Sequence, residues 1–454
     1  MPSDVVAADG RAHARRHARA MAAILLAVVL ATLDTAIANT ALPAIAADLH
    51  AEPAASVWVV NAYQLTVVAT LLPFAALGDR FEPRRVYLGG LVFFTLASLA
   101  CALAPTLPLL ALARALQGIG AGALMSVNIA LIRLVYPPTR LGRGVGLNAL
   151  VVGVGFAVGP SVASLVLAVA PWPWLFAINL PCGLIALGFA LTSLPHSQPQ
   201  GHGFDAVAAV LTAVTFAALI FALGGAAQRL GRAQVLPAVG VTLVFGALLL
   251  RRQAGHAAPM LPVDLLRRPM FALSVLTALA AFACQGLAFV SLPFYFETVL
   301  HRDPVQTGFL MSPWPIVTAL AAPIAGRLSD KHPAGLLGGA GLVLLAAGMA
   351  LLHALPAEPS TADIVLRMLL CGAGFGLFQS PNLRAIMSAA PPERSGGASG
   401  MIAIARLIGQ TTGAALVALC FGIAGAAGPT RALALGAGFA AVAATASFAR
   451  LRLR

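Results

Sequence analysis

The sequence predicts an all-helical protein that crosses a membrane many times. Of its 454 residues, 60 % are hydrophobic and only 9 % are charged, and the mean hydropathy is +0.92. Soluble domains contain about 25 % charged residues, so this chain has too few polar residues to cover a water-exposed surface. Because a bilayer offers no water to backbone amides, we expect helices that satisfy their own hydrogen bonds.

The predicted membrane helices follow one another as long apolar segments. A helix of roughly 20 apolar residues crosses the ~30 Å hydrocarbon core of a bilayer. Fourteen such segments cover residues 21–46, 56–77, 86–104, 108–132, 144–170, 172–194, 206–226, 235–250, 271–299, 305–326, 334–354, 362–385, 398–426 and 430–449. The pair over 206–250 is the weakest assignment, and twelve spans with this pair unresolved is the alternative.

The arginine residues predict the orientation, because cytoplasmic loops carry an excess of Lys and Arg. With a cytoplasmic N-terminus, 21 of the 28 cationic residues fall on the cytoplasmic side. The outer loops contain Arg229, Arg232, Arg302 and Arg431. We therefore predict a bacterial inner-membrane protein with both termini in the cytoplasm. Its net charge of +13 would stabilise this topology through contact with anionic lipid. We expect no nucleic-acid partner.

Several classes of activity are excluded by residues that the chain lacks. Lys331 is its only lysine and follows Asp330, so no P-loop, which requires Gly-Lys followed by Ser or Thr, is present. The five cysteines are scattered without CxxC spacing, and the nine histidines lie in loops, tails or helix ends. We expect no metal site, no cofactor and no catalytic residue, and an intramembrane enzyme is the least favoured alternative.

An internal repeat relates the first and last thirds of the chain at an offset of about 254 residues. The matching pairs include Arg114 with Arg367, Asn128 with Asn382, and Gly159 with Gly413. Matching glycines are significant because they allow helices to approach closely. Two related halves that rock about a central site are the geometry of alternating-access transporters.

The repeat also predicts the domain organisation. Two six-helix bundles form the related halves, and the helix pair between them is an insertion. The predicted units are a cytoplasmic N-terminal tail over 1–20, a first bundle over 21–194, the inserted pair with its linkers over 195–268, a second bundle over 269–449 and a cytoplasmic tail over 450–454.

Five segments carry a family resemblance. They are LDTAIANTALPAIAADL in helix 1, WVVNAYQLTVVATLLPFAALGDRF in helix 2, RALQGIGAG in helix 4, GVGFAVGP in helix 5 and WPWLFAINLPCG before and into helix 6. They resemble the major facilitator superfamily and, within it, the fourteen-span drug/proton antiporters. RALQGIGAG is similar to the motif associated with proton coupling in that group, and GVGFAVGP to its antiporter motif.

This resemblance implies the major facilitator fold and multidrug efflux. A proton-coupled antiporter of this kind exports small amphipathic, cationic drugs by alternating access and uses the proton gradient instead of a cofactor. The expected partners are protons, the substrate and the lipid bilayer, and the protein is expected to act as a monomer. An exporter specific for an endogenous metabolite, such as an amino acid, sugar or siderophore, would share nearly all these residues and is the main alternative.

Asp34 is the only carboxylate predicted deep within the first half. An ionisable side chain at the bilayer centre costs roughly 2.5–3.5 kcal/mol on insertion scales, so its presence needs a reason. We predict a reversible proton site, which a proton or a cationic substrate neutralises in turn. Arg114 and Gln117, one turn apart on helix 4, are predicted to tune its proton release. Permanent structural roles for Asp34 and Arg114 are the alternatives.

Five polar residues are candidates for the substrate cavity. Trp58, Asn61 and Gln64 recur at three-residue spacing, so they share one face of helix 2. Glu297 near the outer end of helix 9 would receive protons or cations. Asn382 follows Pro381. We expect a break in helix 12 at this place, which would free backbone groups toward the cavity. Interhelical hydrogen bonds and plain solvation are the alternatives for these residues.

The loop after helix 2 and the glycine-rich end of the helix-5 motif predict the gate. Asp79, Arg80 and Arg84 resemble the residues that latch the two halves in the family, and Gly159 with Pro160 ends the antiporter motif. The loop departs from the family pattern at Ala75, Glu82 and Pro83. Its tight turn is therefore expected to differ.

Overall fold

The computed structural model describes residues 2–137, 141–197, 205–227, 232–253, 263–391 and 395–453. Every regular element formed by these residues is helical. The helices are α1 (Pro2–Asp48), α2 (Pro53–Ser56), α3 (Trp58–Phe81), α4 (Pro83–Ala102), α5 (Leu107–Val135), α6 (Leu141–Val169), α7 (Pro173–Ala177), α8 (Asn179–Ser193), α9 (Ala206–Ala227), α10 (Arg232–Gln253), α11 (Pro269–Phe294), α12 (Pro304–Met311), α13 (Pro313–Leu328), α14 (Ala334–His353), α15 (Thr361–Ala389), α16 (Ser395–Ala424) and α17 (Gly428–Ala449).

Twelve segments of the described residues are long and apolar enough to cross a membrane, so the predicted number of fourteen is not confirmed. Two places account for the difference. The segment Gly400–Leu453 counts once, with 54 residues, although it contains α16 and α17 joined through Gly425. At about 1.5 Å per residue, an unbroken helix of that length would greatly exceed the bilayer thickness. In α9, the apolar stretch Ala206–Leu219 falls short of the required length.

The helices pack as two groups with an additional pair. α1 packs against α6 and α8, and α5 packs against α3 and α4. In the second group α11 packs against α16 and α17, and α14 against α15 and α17. α9 and α10 pack on each other, and α9 also contacts α3 and α16. The extra pair therefore lies against both groups through α9.

Repeat-related glycines make the same kind of contact in each group. A Cβ at Gly159 of α6 would lie 2.4 Å from the Cβ of Ala36 in α1. A Cβ at Gly413 of α16 would lie 2.3 Å from the carbonyl oxygen of Ala283 in α11. Only glycine permits such backbone approach between membrane helices. The sequence repeat thus has a structural counterpart in the α1–α6 and α11–α16 contacts.

The two groups share a hydrophobic core where α1 ends, which we name the Asp48 end of the bundle. That core joins Ile45 and Trp172 of the first group to Phe294 and Ala418 of the second. The opposite end, which we name the Arg80 end, contains a separate core around Ile386 with residues of the second group and its preceding linker. The halves therefore close on each other at the Asp48 end, and Ile404 and Leu407 of α16 also join the core of the first group.

We predict that Gly159→Val destabilises the protein by about 1–3 kcal/mol more than Gly188→Val, because the larger side chain would overpack the contact with α1. Gly188 is the matched control: it is also helical, but a Cβ there would meet no described heavy atom within 4 Å. Thermal unfolding of the purified variants measures the difference. Equal stability of the two variants would show that the α1–α6 contact tolerates a side chain.

Candidate functional site

Asp34 lies at the centre of a buried hydrogen-bond network in the first group of helices. Its side chain on α1 is 1 % exposed. Nη1 of Arg114 on α5 donates to Oδ2 of Asp34 at 2.5 Å. Nε2 of Gln117 and Nδ2 of Asn179 both donate to Oδ1, at 2.8 and 2.9 Å. The network therefore joins α1, α5 and α8 through one carboxylate.

Arg114 is held from several sides. Its Nε donates to the carbonyl oxygen of Val59 at 3.1 Å, and its Nη1 also contacts Oε1 of Gln117 at 2.5 Å. The guanidinium lies over the Tyr63 ring at 4.2 Å and the Phe176 ring at 5.4 Å. Aromatic faces stabilise a cation by their quadrupole. Arg114 is 1 % exposed, and these contacts hold its side chain in one geometry.

Ser98 of α4 completes the network. Its Oγ accepts from Nε2 of Gln117 at 2.8 Å and donates to the carbonyl oxygen of Phe94 at 2.8 Å. Ser98 and Gln117 are fully buried. Ser98 is not predicted from the sequence, because a serine in an apolar helix is usually explained by a bond to its own backbone. Its approach to Gln117 becomes evident only from the packing of α4 against α5.

The electrostatics of this network make it a candidate switch. Asp34 and Arg114 carry opposite charges in contact, and three side-chain donors reach the carboxylate oxygens. Protonation of Asp34 would remove the negative charge and leave the buried guanidinium without its counterion. An unpaired buried charge is strongly unfavourable. A proton on Asp34 would therefore favour a different arrangement of α1 and α5.

Close glycine contacts fix the register of this network. A Cβ at Gly118, the residue after Gln117, would lie 2.3 Å from the carbonyl oxygen of Tyr63. Gly155 and Gly159 of α6 meet Thr32 and Ala36 of α1, on either side of Asp34 in the sequence. The predicted gate residue Gly159 thus lies beside the predicted proton site.

The predicted face of helix 2 points toward two neighbouring helices. The Trp58 ring lies 5.8 Å from that of Phe221 on α9. Oε1 of Gln64 accepts from Oγ1 of Thr411 on α16 at 2.9 Å. Both side-chain polar atoms of Asn61 are buried without a hydrogen-bond partner among the described residues. Trp58, Asn61 and Gln64 line the contact of α3 with α9 and α16, and their role in a substrate cavity stays a prediction.

The other two cavity candidates lie away from Asp34. Glu297 is in a π-helical turn, Tyr295–Val299, at the Asp48 end. Asn382 is buried toward the Arg80 end, where its Oδ1 accepts from Nη1 of Arg450 at 2.7 Å. α15 continues through Pro381 as one helix, so the expected break beside Asn382 is absent. A proline inside a helix is tolerated in membranes because neighbouring groups satisfy the freed backbone.

The predicted gate residues after helix 2 make contacts within the first group. Arg84 donates to the carbonyl oxygen of Leu191 at 2.8 Å and contacts His196, which ties α4 to the end of α8. Arg80 is exposed and lies over the Phe81 ring at 5.1 Å. The side chain of Asp79 lies outside the described part of the chain.

The residue that departs from the family loop pattern has its own structural role. Glu82 has φ +103°, a backbone conformation that L-residues rarely adopt. Its Oε1 accepts from the backbone nitrogen of Ser197 at 3.2 Å and lies 3.0 Å from Nδ1 of His196. Glu82 therefore links the turn between α3 and α4 to the segment after α8.

Pro160 lies where the two groups of helices meet. A Cβ at Gly308 of α12 would lie 2.4 Å from the carbonyl oxygen of Pro160. One turn further along α6, Oγ of Ser164 donates to the carbonyl oxygen of Pro304 at 2.7 Å. The predicted gate residues Gly159 and Pro160 thus connect the α1 contact to the contact between halves.

Arg406 is a cation in the interior of the second group. It lies in the middle of α16, half-buried. It makes no hydrogen bond or ion pair with any residue that the structure describes, and its electrostatic neighbour is Tyr63. The sequence places Arg406 inside the membrane without assigning it to the site. The signal that could have selected it is an arginine in an apolar helix that lacks a nearby acid.

Comparison with protein families identifies the class. The Major Facilitator Superfamily profile matches residues 24–414, and the chain belongs to this superfamily. It is 54 % identical over 389 residues to an uncharacterized transporter of Escherichia coli K12, YebQ, covering 85 % of each chain. It is 30 % identical to the riboflavin transporter RibZ of Clostridioides difficile, covering 86 % of this chain and 85 % of the relative.

An exporter is also among the relatives. The tetracenomycin C resistance and export protein of Streptomyces glaucescens is 30 % identical, covering 85 % of this chain and 72 % of its own length. Solved structures share the fold: a POT family transporter with a bound peptide conjugate has a TM-score of 0.74 at 13 % identity, covering 94 % of this chain and 95 % of its own. A bacterial homolog of Spinster, inward-facing and unoccupied, has a TM-score of 0.70 at 16 % identity, covering 96 % and 97 %.

We predict that Arg114→Met lowers the free energy of unfolding by about 3–5 kcal/mol, because it leaves Asp34 buried without its partner. Combining it with Asp34→Asn is expected to recover part of this loss, so that the double variant is more stable than the sum of the singles by about 0.5–3 kcal/mol. Reversible denaturation of the four proteins in mixed micelles completes the cycle. Strict additivity would show that the two side chains do not stabilise each other.

Proposed function

We propose that this protein is a proton-coupled secondary antiporter that exports small amphipathic compounds from the bacterial cytoplasm. The observation that carries the proposal is the buried pair of Asp34 and Arg114, held by Gln117 and Asn179. It places one titratable carboxyl where three helices of the first half meet. The multidrug resistance protein Stp of Mycobacterium tuberculosis, 30 % identical to this chain, and the tetracenomycin C exporter support an export function.

The proposed cycle alternates a proton and the substrate. Substrate enters from the cytoplasm and displaces the proton from Asp34, which then pairs with Arg114. After the halves rock, a proton from outside binds Asp34, releases Arg114 and favours dissociation of the substrate. One charge crossing 100 mV supplies about 2.3 kcal/mol, and a tenfold ratio requires about 1.4 kcal/mol. For a neutral substrate, one proton per molecule thus supports more than tenfold accumulation even without a pH gradient. Exchange of one proton for one monovalent cation moves no net charge, so a pH gradient drives it.

Charge linkage makes this antiport strongest for cationic substrates. A proton on Asp34 leaves the central charges of Arg114 and Arg406 uncompensated and repels a cation. By reciprocity, a bound cation disfavours the proton. Proton and cationic substrate then occupy the protein alternately, which is the condition for exchange.

Arg406 favours a second candidate, a transporter for a metabolite with an acidic group. Its charge lacks a counterion among the described residues, so it would attract a carboxylate or phosphate. Protonation of Asp34 would strengthen that attraction. Proton and anion would then move in the same direction, so the sign of the coupling distinguishes the two candidates.

We further propose that fourteen helices cross the membrane, with the Arg80 end in the cytoplasm. The excess of arginine in loops at that end supports this orientation, and the closed Asp48 end then corresponds to an inward-facing state. We expect a periplasm-active reporter inserted at 228–231 to be active. Activity of a cytoplasmic reporter there would contradict the proposed crossing of α9 in this orientation.

Transport by reconstituted protein tests the coupling. With acid inside the vesicles, we expect the wild type to accumulate a cationic amphipathic dye and Asp34→Asn to lose proton-driven accumulation by about tenfold or more, because the proton site is gone. Downhill exchange of the dye should persist. Undiminished proton-driven accumulation by Asp34→Asn would exclude Asp34 from the mechanism.

The control for this assay is Asp363→Asn. Asp363 also pairs with an arginine, Arg367, at 2.8 Å, but within one helix at the Asp48 end. It should leave proton-driven accumulation unchanged. An anionic dye in the same assay identifies the second candidate: accumulation driven by alkaline-inside vesicles and abolished by Arg406→Gln would favour metabolite cotransport over drug export.

A further inference from the structure

A cationic cavity lies at the Arg80 end of the second group of helices. Its volume is about 250 Å³, room for roughly eight waters at ~30 Å³ each. It opens between the first residues of α11 and α14 and the last residues of α15 and α17. Its lining includes Met270, His332, Gly335, Arg384, Ser388 and Arg450.

Arg450 is the buried charge of this cavity. The sequence predicted it to lie in a cytoplasmic tail, but it is 2 % exposed. Its Nη1 donates to Ser274 Oγ at 3.0 Å and Asn382 Oδ1 at 2.7 Å, and its Nη2 to Ser447 Oγ at 2.5 Å. All these acceptors are neutral, and Arg450 forms no ion pair with any described residue. Within the described part of the chain, its positive charge therefore has hydrogen-bond acceptors but no counterion.

Other donors surround the same space. Arg384 and His332 line the cavity, and the first turn of α14 points its backbone N–H groups toward it. A neighbouring cavity shares Met270 and Ser388 and adds Arg268. The described residues that line the two cavities include three arginines and no acid. Asp330 pairs with Arg384 from outside the lining, and neither Arg268 nor Arg450 forms an ion pair with a residue that the structure describes.

The mouth of the cavity adjoins apolar surface. Leu336 on α14, Leu383 on α15 and Leu453 after α17 are 45 %, 48 % and 45 % exposed. On a helix that crosses a membrane, such side chains contact acyl chains. A ligand that fits both features has an anionic head and an apolar tail.

From these observations we propose that the cavity binds the phosphate of an anionic phospholipid headgroup, with Arg450 and Arg384 as its charged ligands. Guanidinium groups match phosphate oxygens in geometry and charge. Basic pockets between membrane helices on the cytoplasmic side are suited to lipid headgroups. The bound phosphate supplies the counterion that Arg450 lacks and joins the ends of four helices of the second group. This site is independent of the proposed transport function.

Native mass spectrometry of the full-length protein in detergent tests the site. We expect retention of phosphatidylglycerol over phosphatidylcholine, and a drop of about tenfold in apparent phosphatidylglycerol affinity for Arg384→Gln and Arg450→Gln, because each loses a charge-assisted contact. The matched control is Arg452→Gln, since Arg452 is exposed in the same C-terminal turn. It should retain wild-type affinity. If Arg450→Gln does not fold, Arg384→Gln and Ser388→Trp still test the site, because the tryptophan would fill the cavity.

The arms of the experiment separate the sources of phosphate. Competition by millimolar inorganic phosphate, with loss in the same variants, would support the phosphate site and assign it to a free anion. Equal phosphatidylglycerol affinity in wild type, Arg384→Gln and Ser388→Trp would overturn the proposal. An equal loss in Arg452→Gln would also overturn it, because surface charge would then account for the binding.

Discussion

The structure of the first half depends on one requirement: the charges of Asp34 and Arg114, buried in an apolar bundle, must compensate each other within hydrogen-bonding distance. Asp34 and Arg114 satisfy this requirement for each other at 2.5 Å. The neighbouring features follow from it. Gln117 and Asn179 both donate to the other carboxylate oxygen, and aromatic rings cover the guanidinium. Glycines bring α5 close to α3 and α6 close to α1, which holds the register of the network. A site so completely satisfied in one charge state is poorly satisfied in the other, and this makes it suitable for coupling protonation to helix movement.

The two halves share their helix packing but differ in their charges. Arg367, the repeat counterpart of Arg114, pairs with Asp363 one turn away on its own helix. The second half instead contains Arg406 and Arg450, which lack an acidic partner among the described residues. The close α1–α6 and α11–α16 contacts thus recur in both halves, whereas the buried ion pair of Asp34 and Arg114 is in the first half. In the proposed mechanism, the proton-binding residue Asp34 therefore belongs to the first half, whereas Arg406 and Arg450 belong to the second.

The sequence predicted the features that follow from local composition or spacing. Apolar segments predicted an all-helical membrane protein, the superfamily was confirmed, and the spacing of Trp58, Asn61 and Gln64 predicted a shared face. The predicted number of spans was not confirmed, because a short turn at Gly425 leaves α16 and α17 in one helical run and the apolar stretch of α9 is short. Contacts between distant segments could not be derived: Ser98 beside Gln117, Asn382 beside Arg450, and Arg450 inside the bundle all depend on tertiary packing. An arginine four residues from the C-terminus is ordinarily assigned to a solvated tail.

The central claim is that Asp34 changes its protonation state during transport, and infrared difference spectroscopy of the purified protein tests it most directly. When substrate is added at constant pH, the account predicts loss of a protonated-carboxyl C=O band, with a matching gain of carboxylate bands. Both changes should disappear in Asp34→Asn and persist in Asp363→Asn. A substrate-induced carboxyl band that is unchanged in Asp34→Asn would contradict the account, because the proton would then reside on another group.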